Sequence, residues 1–555
     1  MKPKPQLALG GANMINHIVT LLIFLIPTIG FGEQSPLRIF IFAGQSNMVG
    51  SDSKVNDIRT FPPYKGLGKP QDSVLFNYVI GRENKTQSEG WTFLQPVNNV
   101  VGPELSFAKE LTKYTDGQIG IIKIAAGGTH LGGDWNPDHP SGFKLFPLAL
   151  SRIKKALEEL KEQKISYKLE GFMWHQGEND MFNRGYMNNY RANLKNFIKR
   201  WREELNSPKL HFYIGELCTK TIWGMDLRPR MFTISLAQKQ VASEDPFTEY
   251  VPTSHVGAEI GNPVGLHYHY GTLGQLQHGI NYAQSYFNVI GKKFTIPRKL
   301  ENWPFDSGKT IKLFVLAGHR NMEGERAFIQ NLKPLGKMDL AKENPSIVYK
   351  YSLGGGYKIS EGWEPMGDAD YYGSFGPELS FSHELQKANI ENIAILKYTH
   401  SGSQIIDWTP NGSEAPTRNI FFPFIESIKK SILELESKGH RVSLEGIFYH
   451  IGENDMSYTP FRKAAAKNIK ELIRGSRKEL DLPQLRWYVS QQPPTDHKNV
   501  NSFNVTNSIS KVLEEETNVF HIKAFSLPTQ EKRLVIDTPG ILRLGELLAE
   551  SYLRN

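Results

Sequence analysis

Short apolar runs alternate with longer amphipathic segments along most of the chain. The short runs are rich in β-branched and aromatic residues and predict strands, in the first half at Leu37–Ala43, Ile119–Ala125, Leu169–His175 and Leu210–Gly215. The longer segments have apolar residues every three or four positions and predict helices, at Glu104–Thr115, Pro147–Gln163, Met187–Leu205 and Leu273–Phe287. Because the predicted strands have no polar face, the pattern is typical of a parallel sheet covered by helices on both sides.

The same pattern occurs twice in the chain. "IFIFAGQSNMVG" is followed later by "LFVLAGHRNMEG", and "LEGFMWHQGENDM" is followed by "LEGIFYHIGENDM". The offset between the copies is 274 residues from Ser46 to Arg320 and 275 residues from Glu178 to Glu453. An offset this constant predicts two homologous domains, at residues 37–290 and 311–555. Residues 291–310 are the predicted linker between them.

Composition and charge exclude several classes of protein. With 555 residues, 39% of them hydrophobic and 22% charged, the chain is long enough for two cores and is typical of soluble globular proteins. The 65 Lys and Arg residues exceed the 57 Asp and Glu residues, and the net charge of +8 is spread without a long basic run. This indicates a solvated, mildly basic surface and not a nucleic-acid-binding protein.

The first 32 residues have the outline of a secretory signal peptide. Lys2 and Lys4 precede the apolar run "IVTLLIFLIPTIGFG", which contains Pro27 and ends in small residues at Gly30 and Gly32. The run is short for a membrane span, so we expect cleavage near Gly32 and no stable membrane insertion afterwards. The mature protein is expected to be secreted, or alternatively lumenal.

Sequons and cysteine usage are compatible with that compartment. Asn84, Asn411 and Asn504 each begin an Asn-x-Ser/Thr triplet and are predicted glycosylation sites. Cys218 is the single cysteine, so an intramolecular disulfide is excluded. It follows the strand-like run "LHFYIGEL", which predicts a buried and unreactive thiol.

Polar residues lie at or just after the ends of the predicted strands. Ser46 follows the first strand, Gly127 and Gly128 follow the second, and "WHQGEND" ends the third. In parallel sheets the carboxyl ends of the strands form one rim, and that rim carries the chemistry. A serine becomes a nucleophile only with a base and with donors for the oxyanion, and this rim contains candidates for both.

Together, "GQSNM", the Gly-Gly turn and "HQGE" resemble the sialate O-acetylesterase-like branch of the SGNH hydrolases, carbohydrate esterase family 6. The resemblance extends over nearly all of both repeats and implies two tandem three-layer α/β/α domains, each with a mainly parallel sheet. It implies removal of O-acetyl groups from sugars without a metal or organic cofactor. Ser46 would be the nucleophile. The backbone N–H groups of Ser46 and Gly128 and the side chain of Gln176 would bind the oxyanion, with Asn179 as a second candidate donor.

The family's last motif, Asp-x-x-His followed by a glycine ten residues later, is altered here. Counting back ten residues from Gly279 gives His269 as the base, and the second repeat then has Val535 at that position. His267 remains the alternative, because "GLH" resembles the residues before the family's histidine.

The family's aspartate is missing whichever histidine is the base. Leu266 or Val264 stands at its position. Glu178 is the first candidate for a replacement carboxylate because it shares a loop with Gln176, and Asp180 and Glu259 follow. A Ser-His dyad without an orienting carboxylate is the remaining possibility.

The second repeat lacks the chemistry of the first. Arg320, Ile451 and Val535 stand at the positions of the nucleophile, the oxyanion glutamine and the base. The sequence thus favours a secreted O-acetylesterase, acting through repeat one on an O-acetylated carbohydrate or glycoconjugate. A carbohydrate-binding or matrix protein without turnover, and a hydrolase of a lipid or another ester, are the alternatives. Two tryptophans after the glycine loops, Trp135 and Trp408, are expected in the cores.

Overall fold

The computed structural model describes residues 35–555, except for 84, 116, 220, 223–224, 257–267, 293–297, 414–417, 453–454, 457–458, 493–504 and 531–534. Residues 36–555 form one compact unit that contains both repeats. In the described part of the chain, no helix is long and apolar enough to span a membrane.

The first repeat alternates strands and helices as the hydrophobic pattern predicts. Its elements in chain order are β1 Leu37–Gly44, α1 Ser46–Val49, β2 Gln71–Ile80, β3 Thr86–Gln87, β4 Thr92–Leu94, α2 Glu104–Tyr114, β5 Ile119–Ala125, α3 Leu145–Glu162, β6 Tyr167–His175, α4 Arg184–Asn188, α5 Tyr190–Glu204, β7 Phe212–Gly215, β8 Thr221–Ile222, β9 Met225–Asp226, α6 Arg228–Glu244, β10 Thr248–Val251 and α7 Gly271–Val289. Short 3₁₀ turns occur between them.

The second repeat has the same order of main elements. They are β11 Thr310–Gly318, α8 Arg320–Glu323, β12 Asn344–Leu353, β13 Lys358–Ile359, β14 Glu364–Met366, α9 Glu378–Lys387, β15 Ile393–Thr399, α10 Phe421–Ser437, β16 Arg441–His450, α11 Thr459–Glu479, β17 Trp487–Gln491, α12 Val505–Glu514, β18 Val519–Lys523, β19 Thr529–Gln530, β20 Val535–Ile536 and α13 Thr538–Arg554.

Strand β1 lies at the centre of the first sheet, whose order is β10-β7-β6-β1-β5-β2-β3 with β4 paired to β2. It runs parallel to both neighbours, and its last residue, Gly44, lies beside Ala125 of β5 and His175 of β6. The loops after these three strands therefore meet at one rim, as the sequence predicts. The second sheet has the equivalent order β13-β12-β15-β11-β16-β17-β18, with β11 at its centre.

Two apolar cores cover the two faces of the first sheet. Ile39 and Ile41 of β1 pack in the core that contains residues of α3, α5 and α6. The intervening residues, Phe40 and Phe42, pack in the core that contains residues of α2 and α7. This alternation follows from the two-residue period of a strand and confirms the three-layer α/β/α prediction.

The buried tryptophans and the cysteine lie where the sequence predicts. Trp135 and Trp408 are fully buried, and their indole N–H groups donate to the hydroxyls of Thr129 and Ser403. Cys218 is also buried. The prediction of core positions for these three side chains is confirmed.

An ion pair is buried beneath the rim in each repeat. Lys123 Nζ lies 2.7 Å from Glu104 Oε2, Lys397 Nζ lies 2.7 Å from Glu378 Oε2, and all four side chains are nearly inaccessible to solvent. Lys123 also donates to the carbonyl oxygen of Val49 at the end of α1. Burial lowers the pKa of Lys123 even though Glu104 opposes that effect. The pair therefore connects the helix that follows β1 to the start of α2.

Lys123→Met is expected to lower the free energy of unfolding of the first repeat by about 3–5 kcal/mol, because it leaves the Glu104 carboxylate buried without a counter-charge. Urea unfolding measures this loss. The double variant Lys123→Met/Glu104→Leu removes both charges and should lose clearly less. A double variant as unstable as the single one would show that lost packing, and not the unpaired charge, causes the effect.

Candidate active site

Ser46 is the first residue of α1, directly after the central strand. Gly44 has a φ of +152°, and a Cβ at this position would overlap the carbonyl group of His175. Only glycine therefore lets the chain cross the end of β6 and turn into α1. The Ser46 side chain is largely buried, 9% exposed, and its Oγ lies 3.5 Å from Gln45 Nε2. Its backbone N–H is in the first turn of the helix, where helix geometry supplies no acceptor.

The glycine loop packs against Ser46. A Cβ built on Gly127 would lie 3.4 Å from the Cβ of Ser46. Gly128 has a φ of +72°, which favours glycine, and its Cβ position is 3.9 Å from Asn179 Nδ2. The fold thus brings together Ser46, Gly128 and Asn179, which the sequence places in three separate loops.

Arg82 is a rim residue that the sequence reasoning missed. It follows β2, its side chain is exposed, and its Nη1 is 2.9 Å from the Cβ position of Gly128. The guanidinium also lies over the ring of Phe143, at 5.1 Å from the ring centroid. A cationic group therefore stands beside the glycine loop.

Gln176 is fully buried, and its amide is engaged within the protein. Its Nε2 donates to Gln45 Oε1, Thr129 O and Asp180 Oδ2, at 3.1, 2.9 and 2.6 Å. An amide nitrogen has only two hydrogens, so three acceptors already exceed its capacity. The role of Gln176 as an oxyanion donor stays a prediction, and these contacts argue against it.

Asp180 ties two rim loops together. Its carboxylate accepts hydrogen bonds from the backbone N–H groups of Leu131 and Gly132 and from Gln176. Burial raises the pKa of Asp180, although the three donors oppose that rise. The expectation that Asp180 orients the base finds no support, because its oxygens serve the glycine loop.

His269 lies just before α7, and its two chain neighbours are hydrogen-bonded to Asn47, the residue after Ser46. The Asn47 side chain donates to Tyr268 O at 3.0 Å and accepts from the backbone N–H of Tyr270 at 3.2 Å. These contacts fix the residues on both sides of His269 against the residue that follows Ser46.

The carboxylate in contact with His269 belongs to Asp52. His269 Nδ1 lies 2.7 Å from Asp52 Oδ2, and the imidazole is 13% exposed while the carboxylate is 55% exposed. This hydrogen bond lowers the pKa of Asp52. Because Nδ1 is engaged by the carboxylate, Nε2 is the nitrogen that remains for proton transfer.

Glu178 is not the partner of His269, contrary to our first choice from the sequence. Its Oε1 accepts from Asn47 Nδ2 at 2.5 Å and lies 3.5 Å from His175 Nε2. Burial alone would raise the pKa of Glu178, but His175 and Asn47 together lower it. Glu178 therefore stabilises the asparagine that holds the His269 segment, and Asp52 is the carboxylate at the imidazole.

Several predicted positions lie outside the described residues. They are His267, Glu259, Val264 and Leu266 around the base, and the sequons at Asn84 and Asn504. Asn411 is described and is exposed in a turn. Among the described residues, no three His, Cys, Asp or Glu side chains are placed to share a metal ion.

An arginine stands at the equivalent place in the second repeat. Arg320 begins α8, is 3% exposed, and pairs with Glu325 at 2.9 Å. Asn321 accepts from the backbone N–H of Ile536, as Asn47 accepts from Tyr270. Ile536 therefore matches Tyr270, and Val535 matches His269, in agreement with the alignment that selects His269 over His267.

Comparison with known proteins identifies the family. The model for carbohydrate esterases described as sialic acid-specific acetylesterases matches residues 36–288 and 310–554. A probable carbohydrate esterase of Arabidopsis thaliana is 25% identical over 280 residues, which cover 46% of this chain and 93% of the plant protein. Its crystal structure aligns at 21% identity with a TM-score of 0.35, over 46% of this chain and 98% of that one. A carbohydrate acetylesterase from Xanthomonas citri aligns at 18% identity with a TM-score of 0.33, over 47% of this chain and 58% of that one.

Because the family model covers most of the sequence, the chain belongs to the carbohydrate esterase family of sialic acid-specific acetylesterases and contains two copies of its domain.

Proposed function

We propose that the first repeat is a serine esterase that removes O-acetyl groups from sugars, in a secreted protein. The observation that carries the proposal is the contact between His269 Nδ1 and Asp52 Oδ2, at 2.7 Å, in a segment that is hydrogen-bonded to Asn47, the residue after Ser46. It supplies the orienting carboxylate that the altered sequence motif lacks. Ser46, His269 and Asp52 then form the nucleophile, base and orienting acid of a triad.

The chemistry follows from these positions. His269 Nε2 takes the proton of Ser46 Oγ as that oxygen attacks the acetyl carbonyl carbon. The backbone N–H groups of Ser46 and Gly128 and the side-chain amide of Asn179 stabilise the oxyanion of the tetrahedral intermediate. His269 next gives its proton to the sugar oxygen, and the sugar alcohol leaves. A water molecule, deprotonated by His269, then attacks the acetyl carbon. The bond between this carbon and Ser46 Oγ breaks, His269 returns the proton to Oγ, and acetate leaves.

Gln176 has a supporting role in this proposal. Its contacts to Gln45 and Thr129 join the loop that carries Ser46 to the glycine loop. It fixes the distance between nucleophile and oxyanion donors without touching the substrate.

The rim also favours one class of sugar. Arg82 places an exposed guanidinium beside Gly128, where a carboxylate on the substrate would receive a charge-assisted hydrogen bond. The family description, which names sialic acid, supports the same choice. The proposed substrate is therefore an O-acetylated sugar that carries a carboxylate.

A serine-directed fluorophosphonate probe tests the proposal with the full-length protein. We expect covalent labelling at Ser46, located by peptide mass spectrometry, and release of acetate from acetylated sialic acid faster than from acetylated neutral sugars. Recovery of the protein from the culture medium tests secretion. Absence of both labelling and turnover would favour the carbohydrate-binding alternative, and preference for long-chain acyl esters would favour a lipid esterase.

A further inference from the structure

A short segment of the first repeat is held in the second repeat. The docked segment, Pro252–Val256, follows β10, and its His255 is 2% exposed. The imidazole stacks on the ring of Tyr357 at a centroid distance of 3.9 Å, and its Nε2 lies 2.8 Å from the hydroxyl of Tyr372. Burial lowers the pKa of His255 to about 3, so the ring is neutral near pH 7 and its hydrogen bonds are those of an uncharged imidazole.

The surface that receives the docked segment is the former oxyanion loop of the second repeat. Ser401 and Gly402 match Gly127 and Gly128 at the 274-residue offset. The Ser401 hydroxyl donates to the carbonyl oxygen of His255, and a Cβ on Gly402 would overlap the carbonyl oxygen of Ser254. A loop that contacts substrate in the proposed active repeat therefore contacts protein backbone in the degenerate one.

A second contact closes the same rim. Arg228, at the start of α6, donates from Nη1 to Gln404 Oε1 at 2.6 Å and lies over the ring of Phe461. Gln404 follows the former oxyanion loop directly and matches His130 of the first repeat. The degenerate rim thus binds two elements of the first repeat.

The docked segment is connected to the base by hydroxyl groups. Thr253 Oγ1 lies 2.7 Å from the hydroxyl of Tyr270, the residue after His269. Both residues also bond to Glu216. The backbone N–H of Thr253 donates to Glu216 Oε2, and the Tyr270 hydroxyl donates to the Glu216 carbonyl oxygen. The backbone N–H of Tyr270 in turn donates to Asn47. A chain of contacts therefore runs from the second repeat to Tyr270, the neighbour of His269, and to Asn47, the neighbour of Ser46.

We propose that the second repeat is a positioning module, whose former oxyanion loop and Tyr372 hold the docked segment and thereby fix His269 against Ser46. The inference rests on the proposed function of the first repeat. It assigns a use to the degenerate rim. A misplaced base lowers the rate of the chemical step, whereas the contacts of substrate with Arg82 and the glycine loop stay unchanged.

Tyr372→Phe is the test variant, because it keeps the ring and removes the hydroxyl that bonds His255 and also Asn281 of α7, the helix that follows His269. With an aryl acetate as substrate, we expect kcat to fall about tenfold with KM unchanged. Hydrogen exchange at the Tyr270 amide, followed in a peptide that begins at Tyr268, should become at least about tenfold faster, because the amide opens more often.

Phe61→Leu is the matched control at the same interface. Phe61 packs against Phe328 of the second repeat, with the ring centroids 6.1 Å apart. We expect a lower Tm but unchanged kcat and unchanged exchange at Tyr270. Within the docked segment, Thr253→Val should reproduce the loss seen in Tyr372→Phe, and Thr253→Ser, which keeps a hydroxyl, should restore it.

The two readouts separate this inference from the proposed function. If the parent protein shows no turnover, the esterase proposal fails, but exchange at Tyr270 still reports whether the second repeat holds the base segment. Parent-like kcat together with parent-like exchange in Tyr372→Phe would overturn the inference. Equal effects of Tyr372→Phe and Phe61→Leu would also overturn it, because general loosening of the interface would then explain both.

Discussion

Ser46→Ala should abolish hydrolysis of acetyl esters, with a loss on the order of 10⁴-fold or more, because nucleophile, base and oxyanion donors act as one unit. We expect no compensation by the second repeat, since Arg320, Ile451 and Val535 occupy the matching positions and all three are buried. Initial rates with an aryl acetate measure the effect. The Ser46→Ala protein should keep the parent Tm, because the contact that its hydroxyl makes with Gln45, within the part of the chain that the structure describes, is long at 3.5 Å.

Arg320→Ala is the matched substitution in the second repeat, and it should leave the rate per folded molecule nearly unchanged. It does break a buried ion pair with Glu325, so we expect a lower Tm. Activity must therefore be normalised to the folded fraction. Near-normal hydrolysis by Ser46→Ala would place the chemistry in the second repeat, where the buried His319 and His450 would be the first residues to examine.

The apolar strands could be predicted from the sequence because both of their faces are buried. β1, β5, β6 and β7 lie within the fully covered sheet, and their predicted and observed bounds agree to within two residues. β2 was missed, since it begins with three consecutive polar residues, two of them exposed, and its apolar run starts only at Val74. α6 was missed because its apolar residues are not confined to one face.

The site was predictable where one local motif carries it. Ser46 and Gly128 stand next to strand ends, and Asn179 lies in a dense polar loop. Asp52 and Arg82 have no such pattern, because only the folded chain brings them to His269 and Gly128. Asp52 adopts a φ of +62°, a conformation that aspartate tolerates better than most residues.

The repeat does contain a signal for Asp52. At the 274-residue offset Asp52 corresponds to Arg326, so the substituted positions in the second repeat include the nucleophile, the base and this carboxylate. In the second repeat Arg326 lies over the ring of Phe61 in the interface between the repeats. A residue that is replaced in the second repeat, as Ser46 and His269 are, is a candidate for the same reaction. The loss of all three accords with a rim that now binds protein.

Asp52→Asn should lower kcat by about 10²–10⁴-fold with KM little changed, because an amide neither stabilises the imidazolium nor selects the Nδ1–H tautomer. We expect the lower part of that range, since solvent screens a carboxylate that is 55% exposed. Steady-state kinetics near neutral pH measure the loss. Asp57→Asn is the control: Asp57 accepts a hydrogen bond from Thr272, so the same substitution removes a nearby charge and leaves the contact with His269 intact.

The pH dependence of stability gives a second readout for Asp52. Its hydrogen bond with His269 lowers its pKa in the folded state below the ordinary value of 3.8. A lowered pKa means that the ionised carboxylate contributes stability above pH 3.8, and that this contribution is lost as the pH falls through the folded-state pKa. The Tm advantage that this carboxylate gives the parent over Asp52→Asn should therefore shrink as the pH falls below 3.8. Removal of a triad acid causes a much larger loss of kcat than threefold. If the kcat of Asp52→Asn stays within about threefold of the parent value, Ser46 and His269 therefore work as a dyad.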